Sequence, residues 1–178
     1  MAVIVFDLDM TVIDSSHRHA SNADGSVDLS HWFENATRDK VMADKLLPLA
    51  RSVRTLYDAG HTIVLCTARC MQAQDHEFLA AYANELPHHA LFSREGRMVT
   101  ADSEEYADSY FGFIGDGRND GVIKLEQITA YIKTLGFDTF EDANVVLFED
   151  NLNTIDLFMK HHAICYNAIT CNAKMKAA

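Results

Sequence analysis

Four short apolar runs, three of them leading straight into a polar or charged residue, constrain what this chain can fold into. Ala2-Val-Ile-Val-Phe6 leads into Asp7, His61-Thr-Ile-Val-Leu-Cys66 into Thr67, and Asn144-Val-Val-Leu-Phe148 into Glu149. Ala90-Leu-Phe-Ser93 is the fourth, and a weaker run follows at Ala163-Ile-Cys-Tyr166. Apolar runs that do not alternate belong to strands buried on both faces, as in a parallel sheet covered by helices. The segments between them carry the helical period. Pro48 opens one helix, with Leu49, Val53, Leu56 and Tyr57 along a face and Gly60 at its stop; Val122, Leu125, Ile128, Ile132 and Leu135 form a second stripe ending at Gly136. Residues 71–85 and 152–160 are the other expected helices. Strands alternating with helices predict an α/β fold, in which ligands sit beyond the carboxyl ends of the strands.

Two stretches break the alternation. Residues 12–46 are long for a connection and read as a small lid inserted after the first strand; residues 95–114 read as an inserted loop. The whole chain, 178 residues, is expected to be one domain. Its 48% apolar and 23% charged residues are those of a chain that buries a core. Fifteen Lys and Arg against 26 Asp and Glu leave a net charge of −11. That balance argues against an extended nucleic-acid surface, which needs clustered basic residues. It leaves room for one phosphate held locally. Cys66, Cys70, Cys165 and Cys171 show no secreted disulfide pattern, and no run reaches membrane-spanning length, so a cytoplasmic location is expected.

The chemistry-bearing residues gather at the strand ends. Asp7 and Asp9 stand where the first strand opens into a loop. Thr67 and Arg69 close the second, and suit phosphate oxygens as neutral and charged donors. Glu149 and Asp150 close the strand at 144–148. Acids, a hydroxyl and further acids at three strand ends can bind a hard cation such as magnesium together with a phosphate. A rival acidic run, Gly115-Asp116-Gly-Arg118-Asn-Asp120, lies upstream of Lys124.

Asp7-Leu-Asp9-Met-Thr11, then Thr67, then Lys124, then Glu149-Asp150 resemble in order the four motifs of the haloacid dehalogenase superfamily of phosphotransferases. Asp116 with Asp120 is the alternative acidic motif. No lysine lies between Lys45 and Lys124, which favours Lys124 followed by Glu149 and Asp150, with Asp120 as a helix cap. Within the superfamily, Arg94-Glu95 and the Gly115 to Lys124 run are similar to the phosphatase half of the phage polynucleotide kinase 3′-phosphatases. Three departures stand out: Met10 replaces the more usual Gly, Glu149 an Asp, and 97–114 is additional. No phosphate-binding Gly-x-x-x-x-Gly-Lys-Ser/Thr loop is present, so no kinase half is expected.

The resemblance implies a Rossmann-like fold and a magnesium-dependent phosphomonoesterase. Asp7 would be the nucleophile, Asp9 the general acid and base, and Thr67 and Lys124 the holders of the phosphoryl oxygens. Asp7, Asp9 through its main-chain carbonyl, Glu149 and Asp150 would hold the metal. Thr11, Arg69, Arg94 and Arg118 are the expected substrate contacts, Arg69 either on substrate or paired with an acid, with Arg18 and Arg38 as further candidates for a second phosphate or a sugar. The implied partner is a mononucleotide or the 3′-phosphate end of a nucleic acid strand; a sugar phosphate, or a phosphate-binding module without turnover, is the alternative. A phage origin would place it in the host cytoplasm. Trp32 and Phe33 are expected to pack the inserted segment onto the core, or else to stack on a base.

Overall fold

The computed structural model describes residues 1–23, 27–98, 104–105 and 113–177. Five parallel strands form the central sheet: β1 (Val3–Phe6), β4 (Thr62–Cys66), β5 (Ala90–Phe92), β8 (Val146–Glu149) and β9 (Ile164–Asn167). Their spatial order is β5-β4-β1-β8-β9. The most apolar strand, β1, is central, as burial on both sides demands. The chain crosses to β4 on one side of β1 and later to β8 on the other, so the crevice beside the end of β1 is where a ligand fits in such sheets.

Alternation along each strand divides the core in two. Ile4, Phe6, Ile63 and Leu65 face one layer with α3 (Ala50–Asp58), α4 (Ala73–Ala81) and α7 (Ala168–Ala177). Val3, Val5, Val64, Cys66 and Leu147 face the other with α5 (Asp120–Thr134) and α6 (Leu152–Lys160). The helix at 73–81 is shorter than the expected 71–85, starting at a Gln72/Asp75 capping box.

The stripe expected on α5 is rotated. Ile123, Lys124, Ile128 and Ile132 are buried, whereas Val122 and Leu135 are exposed. Bringing Lys124 to the carboxylates at the sheet fixes that rotation. The cap is also one residue earlier than expected: the Asn119 side chain accepts from the Gly121 amide, and Asp120 is the first helical residue.

Between β1 and α3 the chain forms β2 (Ile13–Asp14), a 3-10 turn at Ser16–Arg18, α1 (Leu29–Glu34), α2 (Arg38–Met42) and β3 (Lys45–Leu46). β2 pairs antiparallel with β3, closing the base of this excursion beside the sheet's carboxyl edge. Further along, β6 (Gly96–Met98) and β7 (Phe113–Gly115) form an antiparallel pair. In the acidic run after Met98, which holds no Lys or Arg of its own, Asp102 and Asp108 lie outside the described residues, and Glu105 accepts from Arg97 at 2.6 and 2.7 Å.

Candidate active site

β1, β4 and β8 are neighbours, so their carboxyl ends deliver Asp7, Thr67 and Glu149 side by side. Phe6 pairs in register with Leu65 and with Phe148, and the Asp7 amide donates to the Phe148 carbonyl at 3.0 Å. Asp7 follows Val5 in side-chain parity and therefore faces the α5 layer. Lys124 rises from α5 to meet it, its Nζ 2.6 Å from Asp7 Oδ1 and 2.7 Å from Glu149 Oε2. All three residues are buried.

Asp150, half-buried, completes the acidic side. Carboxylate oxygens of Asp7, Glu149 and Asp150 lie within 4.8 Å of one another. Burial pushes all three carboxyls above their ordinary range, and Lys124 only partly offsets this. Burial alone would lower the Lys124 ammonium, but Asp7 and Glu149 together hold it well above its usual value. Three acids against one fixed cation, with oxygen donors only, fit a hard divalent ion such as magnesium. Asp116 and Asp120 line the same cavity on another wall and are each paired with arginine.

Asp9 belongs to a different set of partners. Arg69 donates to it through Nε at 3.1 Å and through Nη2, and Ser15 Oγ donates at 2.6 Å. Burial would raise its carboxyl, but Arg69 outweighs that and holds it low. Arg69 also pairs with Asp75, and its Nη2 approaches Asp44 at 4.0 Å. With each of its three nitrogens bonded to a carboxylate, Arg69 holds Asp9 in this state while lining the cavity.

Other expected contacts are also spoken for. Arg94 donates to the carbonyls of Ala68, Asp116 and Arg118 and pairs with Asp120, so it fastens the loop before α5. Arg118 stands at the rim, turned toward Asp116 and Glu126. Thr11 is fully buried, because the turn in which the Val12 and Ile13 amides both donate to the Leu8 carbonyl rolls it inward. It does not line the cavity. Arg18 is likewise closed to a ligand: it is fully buried and forms a two-point pair with Asp44 at 3.0 and 2.7 Å. Arg38 is exposed and paired with Glu77. Met10 has φ +57, the left-handed conformation in which Gly costs least, which gives the usual Gly at this position a physical reason.

The strand ends and the excursion between β1 and α3 enclose a cavity of about 430 Å³. Its floor is Asp7, Asp9, Thr67, Lys124, Glu149 and Asp150. Its apolar side is Met10, Val27, Trp32 and Phe33, brought over the strand ends by the excursion between β1 and α3. His19, Asn151 and Thr154 also line it, and sequence reasoning did not single them out. Asn151 had a readable signal, a polar cap directly before an apolar helix; its side chain accepts from the Asn153 and Thr154 amides.

The model of the family described as bacteriophage T5 5′-deoxynucleotidase matches residues 1–151. This chain belongs to that family. A curated member, the 5′-deoxynucleotidase of Escherichia phage T5, is 37% identical over 81 residues, 43% of this chain and 33% of the relative. The aligned stretch thus spans about a third of that relative's length. Among solved structures, a chain of the Pnkp1/Rnl/Hen1 complex superposes with a TM-score of 0.58 at 20% identity, covering 94% of this chain and 45% of that one. A haloacid dehalogenase-like hydrolase from Streptococcus pneumoniae superposes at 0.56 with 9% identity, covering 97% and 90%. At such identities the likeness is one of fold, and the fold is that of the haloacid dehalogenase group. Membership of the family covers β1, β4, β5 and β8, hence every strand that carries a floor residue. No helix among the described residues is long and apolar enough to cross a membrane.

Proposed function

We propose that this protein is a magnesium-dependent phosphomonoesterase acting on a nucleoside monophosphate, with a 5′-deoxynucleotide as the first choice, through an aspartyl-phosphate on Asp7. The observation that carries this reading is the buried meeting of Asp7, Lys124 and Glu149 with Asp150, at the floor of a cavity with an apolar side. Family membership supports the substrate class.

Asp7 Oδ attacks phosphorus as the ester oxygen departs, so one difficult displacement by water becomes two displacements. Asp9, which Arg69 holds ionised in this state, takes up a proton from solvent as substrate binding loosens that hold, gives it to the leaving oxygen, and then takes one from the water that releases phosphate. Thr67 and Lys124 hold the non-bridging oxygens while negative charge moves across them. For Lys124 this means exchanging part of its present hold on Asp7 and Glu149 for phosphate, a move its position between the two carboxylates allows. Asp7, Glu149 and Asp150, with the Asp9 carbonyl, would hold magnesium, whose charge offsets the repulsion between an anionic carboxylate and an anionic phosphate.

The test is phosphate release from 5′- and 3′-deoxynucleotides, a 3′-phosphorylated oligonucleotide and sugar phosphates, each with magnesium and with chelator. Release from 5′-deoxynucleotides that disappears on chelation is expected. Preference for the oligonucleotide end would move the reading to strand repair, and preference for sugar phosphates would overturn the nucleotide assignment.

A further inference from the structure

We propose that the Trp32 indole is the platform on which the substrate's base stacks, and that two arginines behind it hold it in place. This rests on the nucleotide reading above and deepens it: it assigns the part of the cavity that distinguishes a nucleotide from any other phosphate ester.

Trp32 sits in α1 and is half-buried, with its ring on the cavity's apolar side beside Phe33. The Arg18 guanidinium lies 4.3 Å from the ring centroid and that of Arg69 5.4 Å. Both arginines reach the same Asp44 oxygen, Oδ2, at 2.7 and 4.0 Å, so they approach the ring from one side. Arg18 and Asp44 are fully buried at the side chain, which makes that the inner side. His19 makes a T-shaped contact with the indole, the two centroids 4.7 Å apart at 78°. Trp32 lines the cavity together with His19 and Phe33.

This arrangement has the properties a stacking platform needs. The ring is fixed before a ligand arrives, so stacking costs little ordering. The cations behind it occupy the negative face of the indole quadrupole on the side away from the ligand. The platform is also tied to the chemistry: Arg69 pairs with Asp9 and lies over the Trp32 ring, so the two are set by one guanidinium. Stacking also reads every base alike. The nearest polar ring, His19, has Nε2 engaged with Ser15 Oγ at 3.1 Å. Selection should therefore be for a base as such, with KM for the four deoxynucleotides within about one order of magnitude of each other.

Trp32 is the chain's only tryptophan, which gives a readout independent of turnover. In the Asp7→Asn protein with magnesium, each deoxynucleoside 5′-monophosphate is titrated against indole fluorescence, with deoxyribose 5-phosphate as the baseless control. Saturable quenching by the nucleotides and none by the control is expected. In the otherwise unchanged enzyme, Trp32→Phe retains a ring and Trp32→Leu does not. Trp32→Leu is expected to raise KM for the nucleotide about 10-fold or more relative to its effect on deoxyribose 5-phosphate, with Trp32→Phe between it and the parent. No quenching, or an equal KM change for both esters in Trp32→Leu, would overturn the platform. Quenching by nucleotides in a protein that releases no phosphate from any ester would support the platform and remove the phosphatase reading instead.

Discussion

Two buried ionic clusters lie within one side-chain length of each other, and they are built on opposite principles. Around Arg18 and Arg69 every acid has a guanidinium partner: Asp44, Asp75 and Asp9 accept from two arginines, an excess of one negative charge, and Ser15 adds a further donor to Asp9. Around Lys124, Asp7, Glu149 and Asp150 outnumber the one ammonium. The first cluster is closed in its hydrogen bonding and ties the excursion between β1 and α3 to the β4 loop. The second is left with surplus negative charge and is open to the cavity. Burial is costly for both unless charge is matched. The difference shows where this protein keeps structure and where it keeps room for a cation and a phosphate.

The largest expected effect breaks the open cluster at its centre. Asp7→Asn keeps size and one oxygen but removes the nucleophile, and should lower turnover at least about 10⁴-fold while the fold and magnesium binding persist. Phosphate release and circular dichroism check the two halves of that statement. The closed cluster should respond in the other currency. Arg18→Ala leaves Asp44 buried without its two-point partner and should cost about 3–5 kcal/mol of stability in urea unfolding. Replacing both residues, Arg18→Met with Asp44→Leu, should recover much of that loss. If Arg18→Ala unfolds like the parent protein, the cluster is not the structural tie described.

The same contrast explains what a single sequence could convey. Asp7, Thr67, Glu149 and Asp150 were legible because each follows an apolar strand directly, and a parallel sheet brings such ends together whatever the loops do. Lys124 was legible from its place in the chain order. The closed cluster was not. Arg18 and Asp44 are separated by 26 residues of irregular chain, and Arg69 and Asp9 by 60. No periodicity relates residues across an excursion, so Arg18 and Arg94 read as cations for a substrate when each is engaged by acids or carbonyls, and for Arg69 the pairing with acids is the alternative that this structure shows. Thr11 misled for a related reason: its proximity in sequence to Asp9 says nothing about the turn that buries it. The α5 stripe was displaced because hydrophobic period weighs Val122 and Leu135 as core, while the pull of Lys124 toward two carboxylates decides the face.

Surplus charge in the open cluster should also be visible without any substrate. The Asp7, Glu149 and Asp150 carboxyls are raised in the folded protein, so they bind protons more readily folded than unfolded. Their contribution is favourable at low pH and is lost as pH rises from the unfolded values, near 4, through the folded ones. In chelator, thermal stability should therefore decline between about pH 4 and pH 7. Magnesium should restore it increasingly as pH rises, by about 2.7 kcal/mol when its concentration is 100 times Kd. Lys124 stays charged throughout that window and does not alter the sign. A melting temperature indifferent to magnesium at neutral pH would count against the metal assignment.

The smallest expected effect lies at the seam between the clusters. Met10 separates Asp9 from Thr11, holds φ +57 and lines the cavity. Glycine there would relieve backbone strain of about 1 kcal/mol. It would also add to the entropy of the unfolded chain, by about 0.5–1 kcal/mol. These oppose one another, so Met10→Gly should change unfolding free energy by less than about 1 kcal/mol in either direction. Its functional consequence should be larger than its stability change, because the Met side chain occupies the cavity wall between the acids and the aromatic side. Removing it should widen the range of leaving groups accepted, seen as a narrower ratio of kcat/KM between deoxynucleotides and bulkier phosphate esters. An unchanged ratio would mean that the Met10 side chain is only tolerated at this turn and has no part in fitting the substrate.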